Sequence, residues 1–81
     1  MKKDRLIWAS RRGMLELDLI LVPFLEQHYQ HLSLEDQLAY QHLLTSEDQD
    51  LFAWFMKKSR PEHAELARIV DLVNASRTVP E

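Results

Sequence analysis

One glycine, Gly13, and three prolines are the only strong turn formers in these 81 residues. A β domain of this size needs a turn every 8–12 residues or so, and tight hairpins draw heavily on glycine. Only one stretch alternates as a strand would, LELDLILV at residues 15–22. It has no second alternating run to pair with, and a lone strand is unstable in water. The chain therefore reads as all-α, a single domain over residues 1–81 with about five short helices around one core and a frayed tail at 76–81.

The apolar residues recur at helical spacing in five segments. The first, Lys3 to Arg12, carries Leu6 and Trp8. Gly13 follows it as a left-handed stop with positive φ, where an added side chain would cost about 1–2 kcal/mol. The second, Met14 to His31, puts Met14, Leu17, Ile20, Leu21, Phe24 and His28 on one side. Pro23 cannot donate to Leu19 and crowds that turn, which predicts a kink or break near Leu19–Val22. The third starts at Ser33, in a capping box with Asp36 in place of glutamate, and turns Leu34, Leu38 and Leu43 or His42 inward. The fourth follows Thr45-Ser46, with Ser46 and Gln49 at capping-box spacing. It gathers Leu51, Phe52, Trp54, Phe55 and Met56 and ends on Lys57 and Lys58, where the helix dipole favours cations. The fifth opens at Pro61 and repeats Leu66, Ile69, Val70 and Val73.

Totals exclude most chemistries. A chain this short buries only about 60–65 % of its unfolded surface, enough for one core but hard to reconcile with a deep cleft. There are no cysteines, which removes disulfides, thiolate metal sites and thiol nucleophiles together. The longest apolar run, Leu19–Leu25, is far short of the roughly 20 residues of a membrane helix. These features describe a cytoplasmic protein without membrane insertion. The formal net charge of −3 offers nucleic acid no general attraction, despite Lys2, Lys3, Arg5, Arg11 and Arg12 near the start. His28 and His31 stand at i, i+3 but lack the third ligand of a helix-borne metal site, so they read as polar surface or half-buried rings. Glu47, Asp48 and Asp50 lie where a helix start favours anions. No glycine-rich phosphate loop and no Ser-His-Asp spacing is present.

The stretch around Gly13 is where surface chemistry concentrates. Arg11 and Arg12 sit at one helix end, and Glu16 and Asp18 at the start of the next, each sign where the helix dipole favours it. Arg5, Trp8 and Arg12, at i, i+3 and i+7, share one helix face. Arginine and tryptophan are enriched at binding hot spots, and a glycine beside them admits a close backbone approach.

At these residues the chain resembles the succinate dehydrogenase FAD assembly factors. Trp8-Ala9-Ser10-Arg11-Arg12-Gly13-Met14-Leu15-Glu16-Leu17-Asp18 contains the family's RGxxE signature. The similarity continues through Pro23-Phe24, Glu26 and Tyr29, resumes at Asp48-x-Asp50-Leu51-Phe52-x-Trp54, and ends at Glu65-Leu66. The resemblance implies a small all-helical, non-catalytic factor that binds the flavoprotein subunit of succinate dehydrogenase or fumarate reductase. It implies that the factor promotes covalent FAD attachment there, acting on its client's FAD with no stably bound cofactor or metal of its own. Arg12, Gly13 and Glu16 match the motif that meets the client; Arg11, Trp8, Arg5 and Asp18 would flank it. Without a presequence the chain looks like a bacterial member, monomeric when free. Family members have also been described as antitoxins, which leaves a toxin–antitoxin interaction module as the alternative.

Overall fold

The computed structural model describes Leu6, Trp8, Ser10 and residues 13–77. Four α-helices follow one another: α1 (Leu15–Gln27), α2 (Leu34–Leu43), α3 (Asp48–Phe55) and α4 (Ala64–Ser76), with a 3-10 turn at Tyr29–His31 between α1 and α2. Leu6, Trp8 and Ser10 are helical too, and the described residues contain no strand. The all-α expectation holds.

The helices close as the apolar stripes require. Leu17, Ile20, Leu21, Phe24 and Leu25 from α1 meet Ala39, Tyr40 and Leu43 from α2, Leu51 and Phe55 from α3, and Leu66, Ile69, Val70 and Val73 from α4. Leu6 adds the N-terminal stretch to the same core. α4 packs against each of the other three helices, and α3 against α1. Truncating a fully buried leucine such as Leu17 or Leu21 to alanine would cost about 2–5 kcal/mol, since the hole cannot fully collapse.

Several local expectations are corrected. α1 runs through Pro23 without a break, because Pro23 and Leu19 lie on the solvent side, where water can serve the unclaimed Leu19 carbonyl. The helix stops at Gln27 rather than His31. Leu34 and Leu38 do not face inward; they are 72 % and 54 % exposed. The inner face of α2 is Asp36, Ala39, Tyr40 and Leu43, a rotation of the stripe that follows from Asp36 being drawn in by Arg68. Ser33 does cap α2, accepting from the Asp36 backbone N–H at 3.2 Å. The Asp36 carboxylate completes no capping box: it accepts from Arg68 Nε at 2.9 Å and Nη2 at 3.3 Å. At α3 the cap position belongs to Glu47, not Ser46, and Gln49 donates to the Glu47 side chain. α4 starts at Ala64, three residues after Pro61. It runs through Ser76, whose hydroxyl donates to the Val73 carbonyl, so the ordered helix enters the stretch read as tail. Residues 78–81 lie outside the described set.

Tyr40 is the hub. Its ring stacks on Phe24 at 5.5 Å and meets Tyr29 edge-on at 5.5 Å. Its hydroxyl, fully buried, lies 3.4 Å from the Leu21 carbonyl, to which it donates. That leaves the buried Ser10 hydroxyl to donate to the phenol oxygen at 2.7 Å. Burial pushes the phenol up to about 12, against the smaller opposing effect of the Ser10 bond. One hydroxyl thus ties the N-terminal stretch to α1 and α2.

Candidate partner-docking corner

The corner begins where the anchored N-terminal stretch meets α1. Leu6 and Ser10, four residues apart, are buried at 1 % and 0 % exposure, so Trp8 between them points outward and is 76 % exposed. Trp8 is thus a large apolar side chain left at the surface. Gly13 is exposed, and Met14 is the extended residue at the head of α1. The Met14 carbonyl accepts from Leu17 N–H at 3.0 Å.

Gly13 itself is a correction. Among the described residues only Lys57 has a positive φ, at 60°, and Gly13 does not. A Cβ placed on Gly13 would meet only the Asp48 Oδ2 atom, at 3.6 Å, an ordinary van der Waals distance. The described residues therefore show no conformational or steric need for glycine there. The same contact sets the corner against the start of α3.

Glu16 and Asp18 both occupy the first turn of α1, as expected. Glu16 is exposed and has no partner among the described residues; Asp18 is half-buried. Leu15 and Leu19, 65 % and 67 % exposed, continue the outward face beyond Glu16. Trp8, Gly13 and Glu16 are thus exposed and Asp18 half-buried, while Arg5, Arg11 and Arg12 lie outside the described residues. Among the described residues, an exposed Glu16 carboxylate beside the exposed Leu15 and Leu19 is able to accept a hydrogen-bond donor and meet an apolar surface.

The histidines do other things. His28 lies over Phe24 at 5.5 Å. His42 Nδ1 is 2.6 Å from Glu65, joining α2 to α4, with His63 tilted against it at 6.2 Å. No three His, Asp or Glu side chains come together as a metal-binding set among the described residues. No described helix is long and apolar enough to cross a membrane.

Comparison with known proteins identifies the family to which the chain belongs. The family described as "Flavinator of succinate dehydrogenase" matches residues 4–77, nearly the whole chain. The chain belongs to this flavinator family. Relatives include the FAD assembly factor SdhE of Pseudomonas aeruginosa, 54 % identical over 69 residues, which are 85 % of this chain and 82 % of that one. The SdhE of Colwellia psychrerythraea is 49 % identical over 71 residues, 88 % of this chain and 78 % of that one. The solution structure of a UPF0350 protein superposes with a TM-score of 0.76 at 46 % identity, covering 91 % of this chain and 79 % of that one. The flavinator fold thus carries the corner.

Sequence reasoning missed three features of this fold. The Asp36–Arg68 pair spans 32 positions, and no local spacing announces it. The Ser10–Tyr40 bond is equally remote in sequence. The third is a cationic groove at the far end of α3, hidden because its turn uses Lys57 where glycine would be the recognisable signal.

Proposed function

We propose that this chain docks through the Arg12–Gly13–Glu16 corner on the flavoprotein subunit of succinate dehydrogenase, and on that of fumarate reductase, and promotes covalent FAD attachment. The observation that carries the reading is an exposed Glu16, without a partner among the described residues, together with a Gly13 for which those residues show no need. A glycine without an internal reason suits an external one, close approach of a partner's backbone.

The chain acts here as a helper. It contains no cysteine and no glycine-rich phosphate loop, so the FAD stays in the client's own site. A helper works by binding the competent conformation of its client better than the others. Moving a client from 1 % to 99 % competent takes about 5.5 kcal/mol of differential binding. A few desolvated contacts from Trp8, Glu16 and the arginines Arg5, Arg11 and Arg12 are of that order. Glu16 accepts from a client donor, Arg12 makes a charge-assisted contact to a client carboxylate or carbonyl, and Asp18 borders the patch. The result is an acceptor histidine and flavin held in near-attack geometry. The free factor is a monomer that binds one client subunit.

Gly13→Arg tests this directly. The variant should keep its helicity and lose the ability to raise protein-bound flavin on the client, read as fluorescence on a denaturing gel. A folded variant that supports full flavinylation refutes docking at the corner. Normal client flavinylation in cells lacking this protein, with co-purification of a toxin instead, would support the antitoxin reading.

A further inference from the structure

At the opposite end of α3 from the corner, the chain closes a groove of about 670 Å³ between the α3 terminus and α4. α3 has eight residues, so the two places are separated by roughly 12 Å of helix. One wall carries Trp54, Lys57, Lys58 and Arg60; the other carries Asp71 and Asn74. Arg60 is held by a two-pronged contact, Nη1 to Asp71 Oδ1 at 2.9 Å and Nη2 to Oδ2 at 3.0 Å. Its Nε–H and two outer N–H bonds remain free of that contact. Arg77 bonds Asn74 and the Phe55 carbonyl at the groove's end. Three cations, Lys57, Lys58 and Arg60, thus line the groove with a single carboxylate, in a chain whose net charge is −3.

The turn that makes the groove is costly in a telling way. Lys58 N–H donates to the Ala53 carbonyl at 2.9 Å and Lys57 N–H to the Trp54 carbonyl at 3.1 Å, a helix-ending motif that places Lys57 in the left-handed region. Glycine satisfies that motif without strain, and helix-dipole attraction explains a cation near a helix end but not one at the strained position itself. With lysine there, a positive side chain stands beside Lys58, Arg60 and the half-buried Trp54.

We propose that this groove binds an acidic peptide segment of a protein partner, one with carboxylates flanking an aromatic or large aliphatic residue. The cations stand at three separate positions of the turn, 57, 58 and 60, which suits carboxylates spaced along a chain. Beside its bond to Asp71, Arg60 keeps its Nε–H and outer N–H groups for a second carboxylate, and Trp54 offers an apolar wall for the residue between them. A compact phosphate fits worse. The site lies at a helix C-terminus, whose carbonyls carry partial negative charge, and Asp71 stands inside it. The proposal is independent of the flavinylation reading.

Titration of the ¹⁵N-labelled full chain with the peptide acetyl-Asp-Glu-Phe-Asp-Glu-amide tests it. The Trp54 indole N–H and the amides of Lys57–Arg60 should shift together, with a Kd on the order of 0.1–1 mM. Affinity should fall several-fold, roughly fivefold, from low to moderate salt. The Lys57→Gly, Lys58→Gln double variant should weaken binding about fivefold or more, with no loss of Tm. Gly13→Arg should leave binding unchanged, which separates this surface from the corner. The proposal is overturned if the peptide shifts none of these signals, or if the counterpart acetyl-Lys-Lys-Phe-Lys-Lys-amide binds equally well. It is also overturned if inorganic phosphate saturates the same residues more tightly than the peptide.

Discussion

Replacing Gly13 by alanine should stabilise this protein. A Cβ at that position stands 3.6 Å from Asp48 Oδ2, its nearest neighbour among the described residues, and the backbone is not left-handed, so those residues can accept it without strain. The unfolded chain loses conformational freedom, which is worth about 0.4–1 kcal/mol to the folded state. For a domain of this size each kcal/mol moves Tm by about 4–8 °C, so Gly13→Ala should raise Tm by roughly 2–8 °C. Thermal unfolding followed by far-UV circular dichroism measures it. The same variant should flavinylate the client less well than the native chain, because even one methyl group intrudes on the close approach. A Tm lowered by about 4 °C or more would mean that the chain needs this glycine for itself, and the argument for an external reader would collapse.

The complementary change is at the one left-handed residue. Lys57→Gly relieves about 1–2 kcal/mol of strain and gives back about 0.5–1 kcal/mol in chain entropy, so denaturant melts should show a net gain of roughly 0.5–1 kcal/mol. Alkali should unfold the protein through Tyr40: its folded-state pKa, pushed up to about 12 by burial, exceeds the unfolded value near 10. Stability is therefore intact below pH 10 and falls by up to about 2–3 kcal/mol as pH rises toward 12. Tyr40→Phe should flatten that loss while costing about 1–2 kcal/mol at neutral pH, since Ser10 is left without its phenol. Acid acts through Asp36 and Asp71, both held below the usual carboxylate value of 3.8, first by hydrogen bonds from Arg68 and Arg60 respectively. Their contribution is complete above that value and is lost as pH falls through the lowered pKa values, and an Asp36→Asn variant should show a shallower acid limb in urea melts.

The core was legible because its residues obey helical spacing: Leu17, Ile20, Leu21 and Phe24 on α1, and Leu66, Ile69, Val70 and Val73 on α4, face inward as the period demands. α2 was misread because its stripe is not set by hydrophobicity alone. Arg68 pulls a carboxylate inward and sends Leu34 and Leu38 to the surface, an exchange only tertiary contact can dictate. The corner drew notice through its residue types and motif, and the structure shows of Trp8 that it is exposed. The backbone at Gly13 was not legible, since glycine is compatible with every conformation and so announces none.

Pro23 leaves the backbone ladder of α1 with one rung missing, at the Leu19 carbonyl on the solvent side. The i→i−4 bonds on either side of that rung still cross it, so α1 stays one continuous helix. The lost bond falls where water can replace it, while Leu17, Ile20, Leu21 and Phe24 hold the inner face of the same rod. Leu15, Glu16 and Leu19 are consequently carried on a mount braced from within rather than on a hinge.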